Sequence, residues 1–415
     1  MSARAAVVML LACACGSKSP LLVPAPASDA QVPDAGVEPD GGPPADLCVE
    51  LPFLEPPREV RVDFVAQILS ADVLFLVDVT GSMGEEIGQI RGLLRDEIVP
   101  GLGAQIPDLQ LAVAHFADFP RPEHNYGEID DDLYRMLQSS TRNVASVQAA
   151  VDRLPLQGGR DGPEALVEAL YLTATGEAFP PYVLQRACPD GTAGYPCFRP
   201  TGTRIVLAFS DAPTHNGPGG HDAYRPGTIS PPPHTFSDTV TALNAIGAKV
   251  LGLYSGGDGG LGRLDLEQLA MATGAVRGNG TPLVFDISRD GSFLASGVIE
   301  AVRTLVDEVP LDVDVVIEDV PGDPFDASSF VREVVAVEAI PASGAVRRSD
   351  RFDDVLPGTR VVFAIRLAND AIPQADAAQS FFLTVVLRGD RVTRLEETLV
   401  RIVVPPAGGG VVCPR

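Results

Sequence analysis

The fold class is decided by the stretch Val73-Leu-Phe-Leu-Val-Asp78-Val-Thr80-Gly-Ser82, in which an apolar run passes directly into a polar loop. Five consecutive apolar residues are typical of a strand that is buried on both faces of a sheet. The loop that follows carries one carboxylate and two hydroxyls, at Asp78, Thr80 and Ser82. We therefore expect a central strand whose carboxyl end presents oxygen atoms to a ligand.

Strands and helices alternate on both sides of this stretch, from residue 58 to residue 309. Residues 205–209 form a second continuous apolar run, and residues 109–116 alternate loosely, as an edge strand does. Pro163 is expected to open a helix. Apolar stripes at helical spacing mark three further helices: Ile87, Ile90, Leu94 and Ile98; Val144, Val147, Val151 and Leu154; Val298, Val302 and Leu305. This alternation predicts an α/β fold with a doubly wound, mostly parallel sheet.

Three polar loops are expected at one edge of this sheet, because ligands bind outside the carboxyl ends of the strands. They are the Asp78-x-Thr80-x-Ser82 loop, the segment Gly158-Gly-Arg-Asp-Gly-Pro-Glu164 and the segment Ser210-Asp-Ala-Pro-Thr-His215. Their hydroxyls and carboxylates favour a hard divalent cation, Mg²⁺ before Ca²⁺ or Mn²⁺, and no soft ligand favours zinc or copper. Without a cation, repulsion between the carboxylates should raise their pKa values.

These loops resemble the metal-ion-dependent adhesion site of the von Willebrand factor A family, and within it the I-like domain of integrin β subunits. Asp78-x-Thr80-x-Ser82 matches the family signature, with Thr in place of the more usual first Ser. Asp161-Gly-Pro-Glu164 looks like the integrin β loop that supplies a metal-binding glutamate, and Ser210-Asp211-Ala resembles the third loop. The resemblance covers roughly residues 70–310 and implies a von Willebrand factor A domain over residues 58–309.

The resemblance also implies which residues bind metal. The principal site would consist of Asp78, Thr80, Ser82, Glu164 and Asp211. Glu85 and Glu86 match an acidic pair that serves an adjacent site, where integrin β chains carry aspartates. Asp161 would serve a third site, although Gly159 stands where the asparagine of that site is expected.

Patterns that would indicate catalysis are incomplete in this sequence. Gly257-Asp-Gly-Gly-Leu-Gly262 fits the dinucleotide fingerprint, but it follows a late strand, so we expect a loop at the rim of the sheet. A catalytic triad through Ser82 lacks the G-x-S-x-G turn around the serine. His215, His221 and His234 lie in a Pro- and Gly-rich segment that we expect to be a surface loop. We predict that the protein is not an enzyme.

Period-two alternation of apolar residues begins after Pro310 and recurs in short runs as far as residue 404. Turn dipeptides such as Pro-Gly and Gly-Asp separate these runs. Short strands at this spacing predict an all-β sandwich over residues 310–406. A tail of residues 407–415 with Cys413 follows it.

The N-terminal residues predict export. Arg4 precedes an apolar run that is shorter than the roughly 20 residues of a membrane-spanning helix, and polar residues follow, as in a signal peptide. Leu10-Leu-Ala-Cys13 resembles the bacterial lipobox, and Cys15 fits nearly as well. We expect a lipoprotein signal peptide over residues 1–15 with lipid on Cys13 or Cys15; an ordinary cleaved signal is the alternative.

Residues 16–57 predict an extended linker. Seven prolines fall between Pro20 and Pro44, interleaved with Ala, Gly and Asp and without apolar periodicity. Such a segment cannot bury enough apolar surface to offset its ordering entropy. We therefore expect a solvated tether that holds the folded part away from the membrane.

Four cysteines lie beyond the signal peptide, an even number that suits disulfides in an oxidising compartment. Cys188 and Cys197 share one Gly- and Pro-rich stretch, and Cys48 and Cys413 flank the folded region. Zinc is the rival explanation, but the spacing shows no paired C-x-x-C and no histidine is close in sequence. We predict the disulfides Cys188–Cys197 and Cys48–Cys413.

The formal net charge of −24 argues against nucleic acid or an anionic membrane surface as a partner. We expect a cell-surface adhesion or ligand-binding protein whose bound cation engages a carboxylate of a protein or another extracellular ligand. The alternative is a docking subunit of an exported enzyme or, rarely, such an enzyme itself. The expected location is the outer membrane or cell surface, with a periplasm-facing orientation as the alternative, and membrane contact only through the lipid anchor.

Overall fold

The computed structural model describes residues 44–342, 344–409 and 413. The predicted signal peptide, the lipidation of Cys13 or Cys15 and most of the predicted linker lie outside these residues. Within the described part of the chain, no helix has both the length and the apolar character that a membrane crossing requires.

The described residues form fifteen strands and seven α-helices. The strands are β1 (Leu47–Glu50), β2 (Arg58–Val65), β3 (Ser70–Asp78), β4 (Asp108–Phe116), β5 (Arg135–Thr141), β6 (Thr203–Ser210), β7 (Ala248–Tyr254), β8 (Val284–Asp286), β9 (Leu311–Asp319), β10 (Val331–Ile340), β11 (Val346–Arg347), β12 (Arg351–Val355), β13 (Arg360–Leu367), β14 (Gln379–Gly389) and β15 (Thr393–Val404). The helices are α1 (Gly84–Leu93), α2 (Val99–Gln105), α3 (Val144–Val151), α4 (Leu166–Thr175), α5 (Phe236–Ala245), α6 (Leu261–Ala272) and α7 (Leu294–Glu308).

Six strands form the sheet of the α/β region, which spans residues 70–308. Their order is β5-β4-β3-β6-β7-β8, and every neighbouring pair is parallel except β4 and β5. The predicted apolar runs are the central strands β3 and β6, which are almost wholly buried. Phe75 stacks on Phe209 across these two strands, with ring centroids 5.8 Å apart. The predicted doubly wound, mostly parallel sheet is confirmed.

The helices cover this sheet with the apolar stripes that the sequence predicts. Ile87, Ile90, Leu94 and Ile98 are all buried, and their stripe continues from α1 through a π-helical turn, Leu94–Ile98, into α2. Pro163 precedes its helix instead of opening it, because α4 begins only at Leu166. The stripe of Val298, Val302 and Leu305 is the buried face of α7.

Residues 109–116 are not an edge strand, contrary to the prediction. They form β4, which lies between β3 and β5. The edge is β5, an antiparallel strand whose sequence, Arg-Met-Leu-Gln-Ser-Ser-Thr, contains only two apolar residues. Strand β4 is buried on both faces from Leu111 to Phe116, so its loose alternation does not mark an edge position.

Nine strands form the β region in two sheets, with orders β1-β15-β14-β9-β12-β11 and β10-β13-β2. Phe352 of the first sheet contacts Phe363 of the second, with ring centroids 5.4 Å apart, so the two sheets share an apolar core. Strand β2 pairs along its whole length with β13. The boundary predicted at residue 58 therefore differs from the structure, in which the α/β region is inserted between β2 and β9 of the β region. The predicted linker is also wrong at its end, because β1 lies within residues 16–57 and pairs with β15.

Both predicted disulfides are present. Cys48–Cys413 joins β1 to the C-terminal tail with a Cα–Cα distance of 5.5 Å. Cys188–Cys197 closes a short loop ahead of β6, with a Cα–Cα distance of 5.4 Å. Disulfides persist in oxidising compartments, so both bonds fit a location outside the cytoplasm.

Candidate metal centre

The candidate site lies where the strand order of the α/β sheet reverses, between β3 and β6. In open α/β sheets this switch point is where ligands bind. Backbone hydrogen bonds bring a third loop to the same place. The Gln157 amide donates to the Val79 carbonyl (2.7 Å), the Glu164 amide to Pro213 (2.9 Å), and the His215 amide to Glu164 (2.8 Å).

A cavity of about 760 Å³ opens at this edge of the sheet. Four of the five predicted principal metal-site residues line it, namely Thr80, Ser82, Glu164 and Asp211. The fifth, Asp78, is fully buried behind them. The structure therefore brings together five residues that span more than 130 positions of the chain.

Asp78 organises the site through hydrogen bonds. Its Oδ1 accepts from the Thr80 amide (3.0 Å) and the Thr80 hydroxyl (2.7 Å), and its Oδ2 accepts from the Ser210 hydroxyl (2.9 Å). Because the Thr80 hydroxyl donates its proton to Asp78, its oxygen lone pairs are available to a cation. Asp78 thus orients a ligand oxygen while it remains behind the cavity.

Ser82 and Asp211 connect the first and third loops in the same way. The Ser82 hydroxyl donates to Oδ1 of Asp211 at 3.0 Å, and both residues line the cavity. The hydroxyl oxygen of Ser82 and the second carboxylate oxygen of Asp211 therefore stay available as ligands. Hydroxyl and carboxylate oxygens suit a hard divalent cation.

Glu164 presents a buried carboxyl group to the cavity. Its side chain is 5% exposed, and Oε2 has no hydrogen-bond partner. Gly159 makes room for it, because a Cβ there would lie 3.0 Å from Oε1 of Glu164 and 3.4 Å from Cγ2 of Thr80. With φ at +66°, Gly159 also has a backbone conformation that other residues rarely adopt.

The carboxyl groups of the site have raised pKa values. Burial raises the pKa of Asp78 to about 7, although bonds from Thr80 and Ser210 oppose the shift. Burial, followed by the negative charges of Asp78 and other nearby aspartates, raises the pKa of Glu164 well above its usual range. Burial also raises the pKa of Asp211. A bound divalent cation would favour the ionised forms and lower these values.

The predicted adjacent pair divides between two environments. Glu86 is buried and lines the cavity, and its Oε2 has no hydrogen-bond partner. Burial raises the pKa of its carboxyl group. Glu85 is exposed and is not among the residues that line the cavity. Only Glu86 of the pair therefore faces the candidate site.

Asp161 lies at the rim of the cavity in a second acidic group that the sequence analysis did not find. Its Oδ2 is 3.3 Å from Nε2 of His215, and this nitrogen is also 3.3 Å from Oδ2 of Asp118. One ligand atom from each of the three side chains lies within 4.8 Å of the others, so the group could hold a metal.

His215 is a buried residue, so the expectation of a surface loop is wrong for it. Burial alone would lower its pKa, but contacts with Asp118 and Asp161 outweigh burial and raise the pKa to about 10. The protonated ring pairs with both carboxylates at neutral pH, and a metal would have to displace that proton. Asp118 follows the end of β4, so the rule that located the other loops could also have found it.

The two catalytic patterns considered in the sequence have other roles. The 257–262 loop lies at the rim of the cavity, as predicted, and its Asp258 carboxylate accepts from the amides of Gly260 and Gly262. The Ser82 hydroxyl bonds to Asp211, whereas Nδ1 of His215 contacts the carbonyl of Asp222 (2.6 Å). Among the described residues, Ser82 and His215 thus form no nucleophile–base pair.

No family model and no curated protein matches the sequence. Solved structures that resemble the chain include a von Willebrand factor type A protein from Catenulispora acidiphila, 16% identical, with a TM-score of 0.36, covering 88% of this chain and 72% of that one. Another is the pilus adhesin SpaC from Lactobacillus rhamnosus GG in its open conformation, 13% identical, with a TM-score of 0.34. That match covers 86% of this chain and 46% of the adhesin, so the chain spans less than half of the adhesin's length.

The α/β region has the doubly wound, mostly parallel α/β fold that the sequence predicts. The evidence lies in its own topology: a parallel sheet covered by helices, with three loops that meet at the switch point. A β-rich region accompanies it. Likeness at this level of identity concerns the fold alone, so any function has to be argued from the site.

Proposed function

We propose that this protein binds an acidic ligand through a divalent cation at the edge of its α/β sheet. Thr80, Ser82, Glu164 and Asp211 would hold the cation, and Asp78 would orient the hydroxyls. Mg²⁺ suits these oxygen ligands best, with Ca²⁺ and Mn²⁺ as alternatives. The cation, when bound, supplies the positive charge that attracts a carboxylate of the partner.

The buried carboxyl group of Glu164 carries this proposal. An unpartnered polar atom in a buried position costs free energy, and a buried charge costs more. Glu164 bears this cost, because burial and then the charges of Asp78 and three further aspartates raise its pKa. A cation in the adjoining cavity would offset the cost, because it pairs with the carboxylate that the fold leaves unpaired.

The net negative charge of the chain indicates that the binding of an acidic ligand would depend on the cation. With a formal net charge of −24, the protein repels acidic partners over most of its surface. A partly desolvated cation attracts a carboxylate more strongly than the same charge in bulk water. Ligand binding should therefore be lost almost completely when the cation is removed.

We also place this binding function outside the cytoplasm. The two disulfides support such a location. In this proposal the lipid on Cys13 or Cys15 holds the protein at a membrane, and binding at the cavity involves no catalysis. Labelled fatty acid should enter the wild-type protein and be absent from a Cys13→Ser/Cys15→Ser variant. Labelling that persists in this variant would contradict the anchor.

Surface plasmon resonance with immobilised poly-L-glutamate as the carboxylate ligand tests the binding function. Wild-type protein should bind in Mg²⁺, dissociate in EDTA and bind again when Mg²⁺ is restored. Asp211→Asn should not bind. Asp96→Asn, which removes an exposed carboxylate outside the cavity, should bind as the wild type does. Binding that survives EDTA, or no binding in Mg²⁺, would contradict the proposal.

A further inference from the structure

We infer that Arg289 selects ligands with two neighbouring carboxylates, one for the bound cation and one for the guanidinium group. The inference rests on the proposed function and deepens it, since it specifies the acidic ligand. An acidic peptide segment with paired Asp or Glu residues is the chemistry that fits. Four observations on Arg289 and its surroundings support this assignment.

Arg289 lies close to the candidate metal ligands. It is an exposed residue shortly after β8 and lines the same cavity as Asp211. A Cβ built on Gly257 would lie 3.5 Å from Oδ2 of Asp211 and 3.9 Å from Nη2 of Arg289. The carboxylate and the guanidinium therefore flank a single glycine.

Two glycines of the loop between β7 and α6 lie beside the Arg289 side chain. A Cβ on Gly256 would lie 3.6 Å from Nε of Arg289, an ordinary contact distance, and Gly256 and Gly257 have φ values of +88° and +124°. Residues other than glycine would be strained at both positions. The backbone conformation of this loop therefore favours residues without a side chain next to the guanidinium.

The acidic neighbours of Arg289 in the sequence are bound elsewhere. Asp286 pairs with Arg263, and Asp290 accepts from the Ser288 hydroxyl and from the Ser292 amide (3.0 Å). Within the described part of the chain, Arg289 itself takes part in no hydrogen bond and no ion pair. A guanidinium without an internal partner can bind a ligand without first breaking a contact.

Arg160, the second arginine that lines the cavity, shows the contrast. Its Nε is 3.3 Å from Oε1 of Glu128, and its Nη1 donates to the Pro122 carbonyl at 3.2 Å. These contacts engage Arg160 inside the protein. Of the two cavity arginines, Arg289 is therefore the one whose donors are available to a ligand.

The chemistry of the two cationic groups explains the preference for two acid groups. A guanidinium binds a carboxylate through two parallel N–H donors, a geometry that a single carboxylate already engaged by a metal does not satisfy well. A ligand with a second carboxylate can use both groups at once. Such two-point binding adds specificity as well as affinity.

Competing carboxylates test the inference with Mn²⁺ as the cation. Paramagnetic broadening of the ligand proton signals by protein-bound Mn²⁺ gives the affinities of acetate and succinate for the full chain. EDTA-treated protein gives the baseline. Two equivalent carboxylates give succinate a twofold statistical advantage, and Arg289 should add roughly fivefold to it. In Arg289→Gln the advantage should return to about twofold, while acetate binding changes little.

Arg160→Gln is the matched control. It removes the same charge from the cavity wall, so it should weaken acetate and succinate equally and leave their ratio unchanged. The inference about Arg289, but not the proposed function, would be overturned by either of two results. One is a succinate-to-acetate affinity ratio near two in the wild type; the other is a higher ratio that persists in Arg289→Gln with native circular dichroism. Failure of Mn²⁺ to bind the wild-type protein would overturn the proposed function as well.

Discussion

The α/β region and the β region treat buried polar groups differently. Nine described residues have a buried side-chain polar atom without a hydrogen-bond partner, and all nine lie in the α/β region: Glu86, His115, Asp118, Ser140, Asp161, Glu164, Thr203, Arg204 and His215. Three of them line the candidate cavity: Glu86 in α1, and Asp161 and Glu164 in the second loop. Buried polar groups are normally paired, so a cluster of exceptions at one edge indicates a place where a ligand completes the structure.

The β region shows the opposite arrangement. Its charged side chains form ion pairs at the sheet surface, such as Arg388 with Asp314 (2.7 Å) and Arg394 with Glu318 (2.6 Å). A buried polar side chain such as Asn369 is hydrogen-bonded there, donating to the carbonyls of Leu51 and Ile372, and a disulfide closes the region. Among the described residues, the α/β region alone therefore retains unpaired buried groups, and some of them lie where a cation would bind.

Removing two metal ligands should produce the largest effect. Loss of even an outer-shell partner of a metal ligand costs about 10–100-fold in affinity, so Glu164→Gln/Asp211→Asn should weaken Mn²⁺ binding by about 10⁴-fold. Both substitutions remove charge and preserve size, so the fold should persist. Isothermal titration calorimetry measures the affinity for Mn²⁺, and circular dichroism checks that the fold persists. Asp96→Asn serves as the control, and Mn²⁺ affinity close to that of the wild type in the double variant would refute the ligand assignment.

Breaking the disulfide of the β region should change stability and not metal binding. Cys48→Ser/Cys413→Ser should lower the free energy of unfolding by about 4 kcal/mol, because the bond closes a very long loop. The transition can be followed by urea denaturation. Mn²⁺ affinity below the transition should equal that of the wild type, and a large loss of affinity would show that the two regions are not separate in function.

The disulfide of the α/β region should have a smaller effect. Cys188 and Cys197 are nine residues apart, so Cys188→Ala/Cys197→Ala should cost roughly 2–3 kcal/mol in the chain-entropy account. Urea denaturation under the same conditions provides the comparison. If this variant proved less stable than the one that lacks Cys48 and Cys413, loop length would not explain the contributions of the two bonds.

The smallest effect we predict is the change in stability of the metal-free protein with pH. The pKa of Asp78 is about 7 in the folded protein, against 3.8 for an ordinary aspartate. Between these values the folded state binds more protons than the unfolded state, so stability falls as pH rises from 5 to 8. His215, whose pKa rises to about 10, acts in the same direction above pH 6.5.

Thermal unfolding in EDTA should accordingly show a melting temperature roughly 2 °C lower at pH 8 than at pH 5. Saturating Mg²⁺ should reduce this difference, because the cation favours the ionised carboxylates. A melting temperature that rises with pH in EDTA would contradict the raised pKa values of the site.

Much of the α/β region could be predicted because its signals are local. The apolar runs of β3 and β6 and the polar loops after them are continuous in the sequence, and the switch-point rule places those loops together. The cysteine pairs could be predicted because only four cysteines follow the signal peptide. The place of β2 in the β region could not be predicted, although Val60, Val62 and Phe64 alternate. Its partner β13 lies about 300 residues further along the chain.

The side-chain contacts at the site could not be predicted from the sequence either, because they too join residues that are distant in the chain. The contact of His215 with Asp118 depends on how two loops fold over the sheet edge, and no spacing in the sequence encodes it. Arg289 likewise resembles any exposed arginine until the structure shows that Asp286 and Asp290 are bound to other groups. Residue type and position at a strand end are local properties, whereas a missing partner is a property of the whole fold.

Anomalous diffraction from crystals soaked in Mn²⁺ tests the proposed metal centre, because it locates the cation. We predict one strong anomalous peak in the cavity, within coordination distance of Thr80, Ser82, Glu164 and Asp211, with Asp78 behind them. The same crystals soaked in EDTA should show no peak. A wild-type map with no peak in the cavity, or with its only peak between Asp118, Asp161 and His215, would contradict the account.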